Sequence, residues 1–305
     1  FTAERVAERF TAALEMRVPG HDRRARRAVA ARRPLVALVS PFTPERSGVA
    51  DYTRRTVAAL ARRADVDVWT DAEGPDDPAV RAFHRVSAGA WMRPDYDATV
   101  AVLGNSHFHA GILDHHLRHG GPCILHDSRL VDLYAWWFGV ERTRALAAAE
   151  LGRAVSRQEL RDWTADQSEL PTLFLSEVVR VGEPVFVHSR GLADEVRRLY
   201  GVEPVHLPFA LLREFGAEET APPARRRARA RLGVPEGRAL VVTLGIWGPT
   251  KAPEVCLEAV GRLRAGGLDV HLAFVGADAA SGREVAARAG AAGFGHAVHF
   301  TGAVR

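Results

Sequence analysis

Residues 34–63 read PLVALVSPFTPERSGVADYTRRTVAALARR. PLVALVS is a short apolar run closed by turn formers, the pattern of a parallel strand buried on both faces. A proline-rich loop, PFTPERSG, follows. Val49, Tyr52, Val57 and Leu60 then fall on one face at helical spacing. Strand, loop and helix in that order open a parallel α/β sheet. The alternation recurs downstream. DVDVWTD (65–71), DATVAVLG (97–104), PCILH (122–126), PVFVH (184–188) and VHLP (205–208) read as strands. RGLADEVRRLYG (190–201) reads as a helix closed by Gly201. Residues 141–180 read as wholly helical. The pattern predicts a doubly wound α/β domain over 34–215.

Around that domain lie three other regions. Residues 1–33 begin with FTAERVAERFTAALEMR, which carries Val6, Phe10 and Leu14 at helical spacing, and continue as an Arg-rich linker. Residues 216–234 read as a second linker. Over 235–305 the alternation restarts, with strands ALVVTLG, LDVHLAFVG and HAVHFTG separated by helices. This is the start of a second Rossmann-like domain. Such sheets carry about five or six strands, and a half-sheet leaves an open edge. The sequence is therefore expected to continue past residue 305.

The chain has 305 residues, 47% of them hydrophobic, enough for two domains with their own cores. No apolar run approaches the ~18–20 residues of a membrane span. Cys123 and Cys256 sit in apolar contexts and are expected as buried thiols in a reducing cytoplasm. A net charge of +4 admits an anionic partner. The Arg-rich stretches lack the aromatic interleaving of a nucleic-acid module, so no nucleic-acid partner is expected. Solvation, or peripheral contact with an anionic membrane, suits them better.

Four places could carry chemistry, all at carboxyl ends of strands, where α/β sheets bind ligands. In PFTPERSGVADY, Gly48 stands where a helix begins and would let the backbone approach a phosphate or sugar. A plain strand-to-helix turn is the alternative. In LGNSHFHAGI, Asn105 and His109 follow a strand, with Ser106 in N-cap position. Either residue could line a cleft. The nearby His107, His115, His116 and His119 lack the ligand set of a metal site. In CILHDSRL, His126 and Asp127 close a strand. An imidazole there can bond a sugar hydroxyl or steady developing charge while Asp127 orients it. An ordinary strand end is the alternative. In LGIWGPTKAPE (244–254), Lys251 is the single lysine among 41 basic residues. A lysine at a helix N-terminus opposes the macrodipole, a cost that a bound phosphate would offset; a solvated surface lysine is the alternative. The pairs Asp65/Asp67 and Asp95/Asp97 read as strand ends without metal.

SPFTPERSGVADYTRR, GNSHFH, ILHDSRL, FVHSRGLADEVRRLYGVEPV and TLGIWGPTKAPEVCLEAVGRL, in that order, resemble the bacterial glycosyltransferases of family 4, the group 1 transferases. The resemblance runs from about residue 34 to 305. It implies a GT-B fold, two Rossmann-like domains with an acceptor side and a nucleotide-sugar side. It also implies a cytoplasmic, retaining enzyme that needs no metal or other cofactor and builds polysaccharide or cell envelope. The expected partners are a nucleotide sugar and a glycan or lipid-linked acceptor. By this resemblance Gly48 approaches donor phosphates, His126 contacts the donor sugar, and Lys251 clamps the diphosphate after Gly245. Many family members have Gly-Arg where this chain has Gly245-Ile246, so the second cation of the clamp is absent or supplied elsewhere. The family's paired glutamates lie beyond residue 305. FTAERVAERFTAALE resembles the closing helix of such a transferase, which implies a further domain upstream; a simple N-terminal cap helix is the alternative. A second functional reading also stands, an inactive truncated transferase that only binds a glycan or a partner.

Overall fold

The computed structural model describes residues 3–17, 33–45, 47–87, 96–209, 215–245, 252–276 and 282–302. It divides into two compact units, Phe1–Arg213 and Glu214–Arg305.

The first unit is built on seven parallel strands: β1 (Leu35–Val39), β2 (Asp65–Trp69), β3 (Ala82–His84), β4 (Ala98–Leu103), β5 (Gly121–Leu125), β6 (Gly182–Val187) and β7 (Val205–His206). Their order across the sheet is β3-β2-β1-β4-β5-β6-β7. Alternate residues sort cleanly between the two faces. Val36, Leu38, Val100, Val102, Ile124 and Phe186 enter one core, while Ala37, Val39, Ala101, Leu103, Cys123, Leu125, Val185 and Val187 enter the other. Both faces are buried, which is why these strands read as unbroken apolar runs. Cys123 is a buried thiol, pushed up to about 12 by desolvation.

Helices α1 (Ala3–Arg17) and α2 (Gly48–Leu60) cover the first face. Val6, Phe10 and Leu14 of α1 are buried in the same core as the strands, with the Phe10 ring 4.9 Å from that of Phe186. Ser47 caps α2 by accepting the Val49 N–H at 3.2 Å. The opposite face takes α3 (Ala110–His119), α4 (Val131–Trp137), α5 (Gly139–Leu151), α6 (Arg157–Ala165), α7 (Ser176–Val181) and α8 (Arg190–Tyr200). Gly201 closes α8 in the left-handed region, as the sequence predicts.

Two readings of the first unit are corrected. Residues 141–180 are not one helical run. Gly152 and Pro171 interrupt it, and the Glu150 carboxylate gathers the last break. It accepts the N–H groups of Phe174 (3.1 Å) and Ser176 (2.8 Å) and the hydroxyls of Tyr200 and Thr172. These bonds hold the buried Phe174 at φ 57°, a conformation costing roughly 1–2 kcal/mol for a residue with a Cβ. Asp67 is not a strand end either. It lies inside β2 with its side chain fully buried. Arg81 donates to both its oxygens (2.7 and 2.6 Å), and Tyr96 Oη donates at 2.8 Å. Burial pushes its carboxyl up, but these donors outweigh it and hold it below its ordinary range.

The second unit holds three parallel strands, β8 (Ala239–Leu244), β9 (Val270–Val275) and β10 (Val298–Phe300), in the order β10-β9-β8. Residues 216–234, expected as a linker, carry the short helices α9 (Ala217–Thr220) and α10 (Pro222–Arg231). Two prolines start α10, where a missing N–H costs nothing. Helices α11 (Pro253–Ala265) and α12 (Arg283–Ala291) pack on β9 through Leu257, Val260, Val285 and Ala289. Among the described residues, Val241, Val242 and Leu244 of β8 remain exposed.

The burial of α1 makes a direct expectation. Phe10→Ala should destabilise the first unit by about 3–5 kcal/mol, read as a lower denaturation midpoint in urea. An unchanged midpoint would show that α1 contributes nothing to that core.

Candidate functional site

The first sheet runs outward from β1 in one direction and from β4 in the other. Between them lies the switch point, beyond whose carboxyl ends ligands bind in open α/β sheets. The loops that follow β1, β4, β5 and β6 carry the polar residues gathered at this edge.

After β4 the chain turns at Gly104. A Cβ on Gly104 would lie 2.7 Å from His109 Nε2 and 2.9 Å from Asp127 Oδ2. Only a glycine lets these two side chains close on the turn. Asn105 donates its backbone N–H to Asp127 Oδ2 at 2.6 Å. Its side chain is committed to α4. Oδ1 accepts the N–H groups of Asp132 (2.9 Å) and Leu133 (3.1 Å), and Nδ2 donates to Asp132 Oδ2 at 2.9 Å. The helix has no side-chain cap of its own, so Asn105 serves as one from outside. Ser106 precedes a single 3₁₀ turn, His107–His109, and makes no cap bond.

His109 is fully buried and donates from Nδ1 to the Val102 carbonyl at 3.0 Å. A carbonyl only accepts, so the proton sits on Nδ1 and Nε2 keeps its lone pair. Burial holds this imidazole down to about 4, which keeps it neutral at pH 7. His115 is likewise held to about 4 by burial, and His116 bonds the Val178 carbonyl at 3.2 Å. Among the described residues no group of three or more His, Cys, Asp or Glu could hold a metal ion.

His126 stands directly after β5, its backbone N–H bonded to the Leu103 carbonyl at 2.8 Å. Asp127 Oδ1 lies 3.9 Å from His126 Nδ1. Burial pushes the Asp127 carboxyl up, but the His126 ring and the Asn105 N–H outweigh it and hold it below its ordinary range. Three further rings surround His126: Tyr52 of α2 at 5.4 Å, His188 at 5.6 Å and Phe209 at 5.5 Å between centroids. His188 donates from Nδ1 to the Leu207 carbonyl at 2.9 Å. Burial holds it down to about 4. Both His126 nitrogens and His188 Nε2 are buried without a hydrogen-bond partner.

The remaining predicted residues lie apart. Gly48 opens α2, the helix that brings Tyr52 to His126, and a Cβ there would meet open space. In the preceding loop, burial and the charge of Asp71 push the Glu45 carboxyl up, and its Oε2 is buried without a partner. Gly245 follows β8 at φ 124°, where a side chain would be strained. Its carbonyl would lie 2.5 Å from a Cβ on Gly276, so the two backbones meet closely. Lys251 lies outside the described residues. The helix after it begins at Pro253, with Ala252 as N-cap at φ 44°.

Sequence reading named Asn105 and His109 at one strand end and His126 and Asp127 at another, and the structure sets the two strand ends side by side. It missed His188 and Phe209. A signal was present: PVFVH ends in histidine just as PCILH does, and β5 and β6 are neighbours.

No protein-family model matches the chain. The chain is 27% identical over 245 residues to the D-inositol 3-phosphate glycosyltransferases of Mycobacterium tuberculosis and Mycobacterium bovis. The match covers 74% of this chain and 49% of theirs, so the chain spans about half the length of the curated relatives it matches. Among solved structures it aligns with a glycosyltransferase from Rickettsia africae at 11% identity and a TM-score of 0.46, over 89% of this chain and 69% of that one. It also aligns with an Anabaena protein crystallised with UDP and glucose, at 15% identity and a TM-score of 0.48, over 90% and 70%.

Two outcomes test the geometry. Gly104→Ala should cost about 1–3 kcal/mol, because the buried His109 ring cannot yield; a neutral result in urea denaturation would mean that the turn is looser than described. The second concerns pH. His109 is held below its unfolded value of 6.5, so its contribution is complete above about pH 6.5 and lost as pH falls toward 4. His109→Gln should therefore flatten the decline of stability over that window, and an unaltered slope would show that His109 takes up its proton normally in the folded state.

Proposed function

We propose that the chain is part of a glycosyltransferase that moves a sugar from a nucleotide-sugar donor to a hydroxyl-bearing acceptor. The observation that carries this reading is the buried imidazole of His126 beside Asp127 at the carboxyl edge of a doubly wound sheet, after the strand next to β4. The 27% identity to D-inositol 3-phosphate glycosyltransferases supports it independently. Their name makes an inositol phosphate a natural first acceptor to try, within the broader class of glycans and glycolipids.

In this reading the bond between the anomeric carbon and the diphosphate breaks, and a bond from the acceptor oxygen to that carbon forms. The acceptor proton passes to the departing phosphate. We assign Lys251 to the charge that builds on the diphosphate, because a fixed cation aimed at developing charge lowers the barrier more than it tightens the ground state. We assign His126 to the donor sugar and Gly48 to close backbone approach. The geometry supports Gly48 in that role by leaving its Cβ direction open. Gly245 permits the turn after β8 that leads toward Lys251. Asp127 would orient His126, while His109 backs the turn at Gly104. We propose a retaining, metal-independent reaction in the cytoplasm, serving cell-envelope or polysaccharide synthesis. No helix among the described residues is long and apolar enough to cross a membrane. Of the Arg-rich stretches proposed to contact anionic lipid, residues 18–32 lie outside the described residues and the other forms α10.

The test uses the protein as its cell makes it, with UDP- and GDP-sugars and inositol phosphate or glycolipid acceptors. Lys251→Ala and His126→Ala should each lower turnover by at least about tenfold. Turnover unchanged by Lys251→Ala would remove the lysine from the mechanism. Glycan binding without transfer of any sugar would favour the binding-module reading.

A further inference from the structure

His188 closes β6 as His126 closes β5. Leu125 pairs with Val187 across the two strands, so the two histidines follow paired positions. Their rings stand nearly perpendicular, at 83°. Tyr52 and Phe209 complete a packed cluster of four rings in which every centroid lies 5.0–5.6 Å from every other. Three ring nitrogens of this cluster, two on His126 and one on His188, are buried without a hydrogen-bond partner. Each such group is costly if it stays unsatisfied, so a water or a bound group is expected to meet it.

The two rings offer opposite chemistry. His188 commits its Nδ1 proton to the Leu207 carbonyl, so Nε2 can only accept while the ring is neutral. His126 has no such bond, and its ring carries at least one N–H to donate. A hydroxyl donates one hydrogen bond and accepts others, so it can satisfy both rings at once. Tyr52 is fully buried, so Phe209, 44% exposed, is the ring whose face can meet the apolar face of a sugar or cyclitol ring.

We propose that His188 is a second hydroxyl-recognising residue of the site, accepting a hydrogen bond at Nε2 from the sugar or cyclitol ring whose hydroxyl also meets His126. This rests on the transferase reading above. The hydroxyl could belong to the donor sugar or to the acceptor, and the chemistry at His188 is the same.

The experiment follows the histidine ring nitrogens of the intact protein by 15N NMR. UDP- and GDP-sugars are added in one arm and D-inositol 3-phosphate in the other. The arm that moves the His188 Nε2 resonance identifies the source of the hydroxyl. In transfer assays His188→Phe should raise KM for that partner by about tenfold or more, with a smaller change in kcat. His188→Gln should recover part of the loss, because its amide can donate to Leu207 and still accept a hydroxyl. This variant also keeps the test open should the phenylalanine variant misfold. If a probe binds and moves His126 but not His188, and both variants keep the wild-type KM, the inference is overturned and the transferase reading stands. If the wild type neither binds nor transfers with either class of probe, the transferase reading fails and the inference falls with it.

Discussion

The pairing of β5 with β6, Leu125 against Val187, is the contact from which the carboxyl edge of the first sheet is built. Parallel strands in register end at the same level, so the residue after each strand is delivered to the same rim. Here those residues are His126 and His188. The ladder continues one step past the strands: His126 bonds back to Leu103, and Leu207 to Val187. Backbone hydrogen bonds thus place His126 and the Leu207 carbonyl that receives the His188 ring. The apolar cores above and below hold the ladder in place, since a one-residue slip would exchange the residues that face the two cores.

A second layer of order is electrostatic. The rim collects groups that desolvation would neutralise, yet each is tied to one protonation state. His109 and His188 give their Nδ1 protons to carbonyls and stay neutral. Asp127 stays ionised because the His126 ring and the Asn105 N–H face it. Asn105 links this group to α4 by capping that helix with its side chain. The turn at Gly104 makes the arrangement possible, because a side chain there would occupy the space that His109 and Asp127 use. Neutral acceptors and a fixed carboxylate on one rim can accept hydrogen bonds from hydroxyls.

Much of this was legible in the sequence. A strand buried on both faces must be apolar throughout, so PLVALVS, DATVAVLG and PCILH declared themselves. A strand end at a turn must carry polar or small residues, so Asn105, His126 and Asp127 stood out. The helical interruptions at 152 and 171 were harder, because Glu150 organises that segment through partners more than twenty residues away. Asp67 was misread for a similar reason. A carboxylate in mid-strand is tolerable only with Arg81, Tyr96 and His84 around it, and their convergence depends on the folded sheet.

Periodicity and turn chemistry alone therefore determined the alternation of strands and helices and the edge at which function should be sought. Those are local properties, set by which residues can be buried on two faces, on one, or on none. Only the tertiary structure decided which strand ends lie side by side, and so made His188 and Phe209 neighbours of His126. It also decided which polar groups are left buried without partners. Strand order and burial depend on contacts between residues distant in the chain, and no pattern of local spacing encodes them.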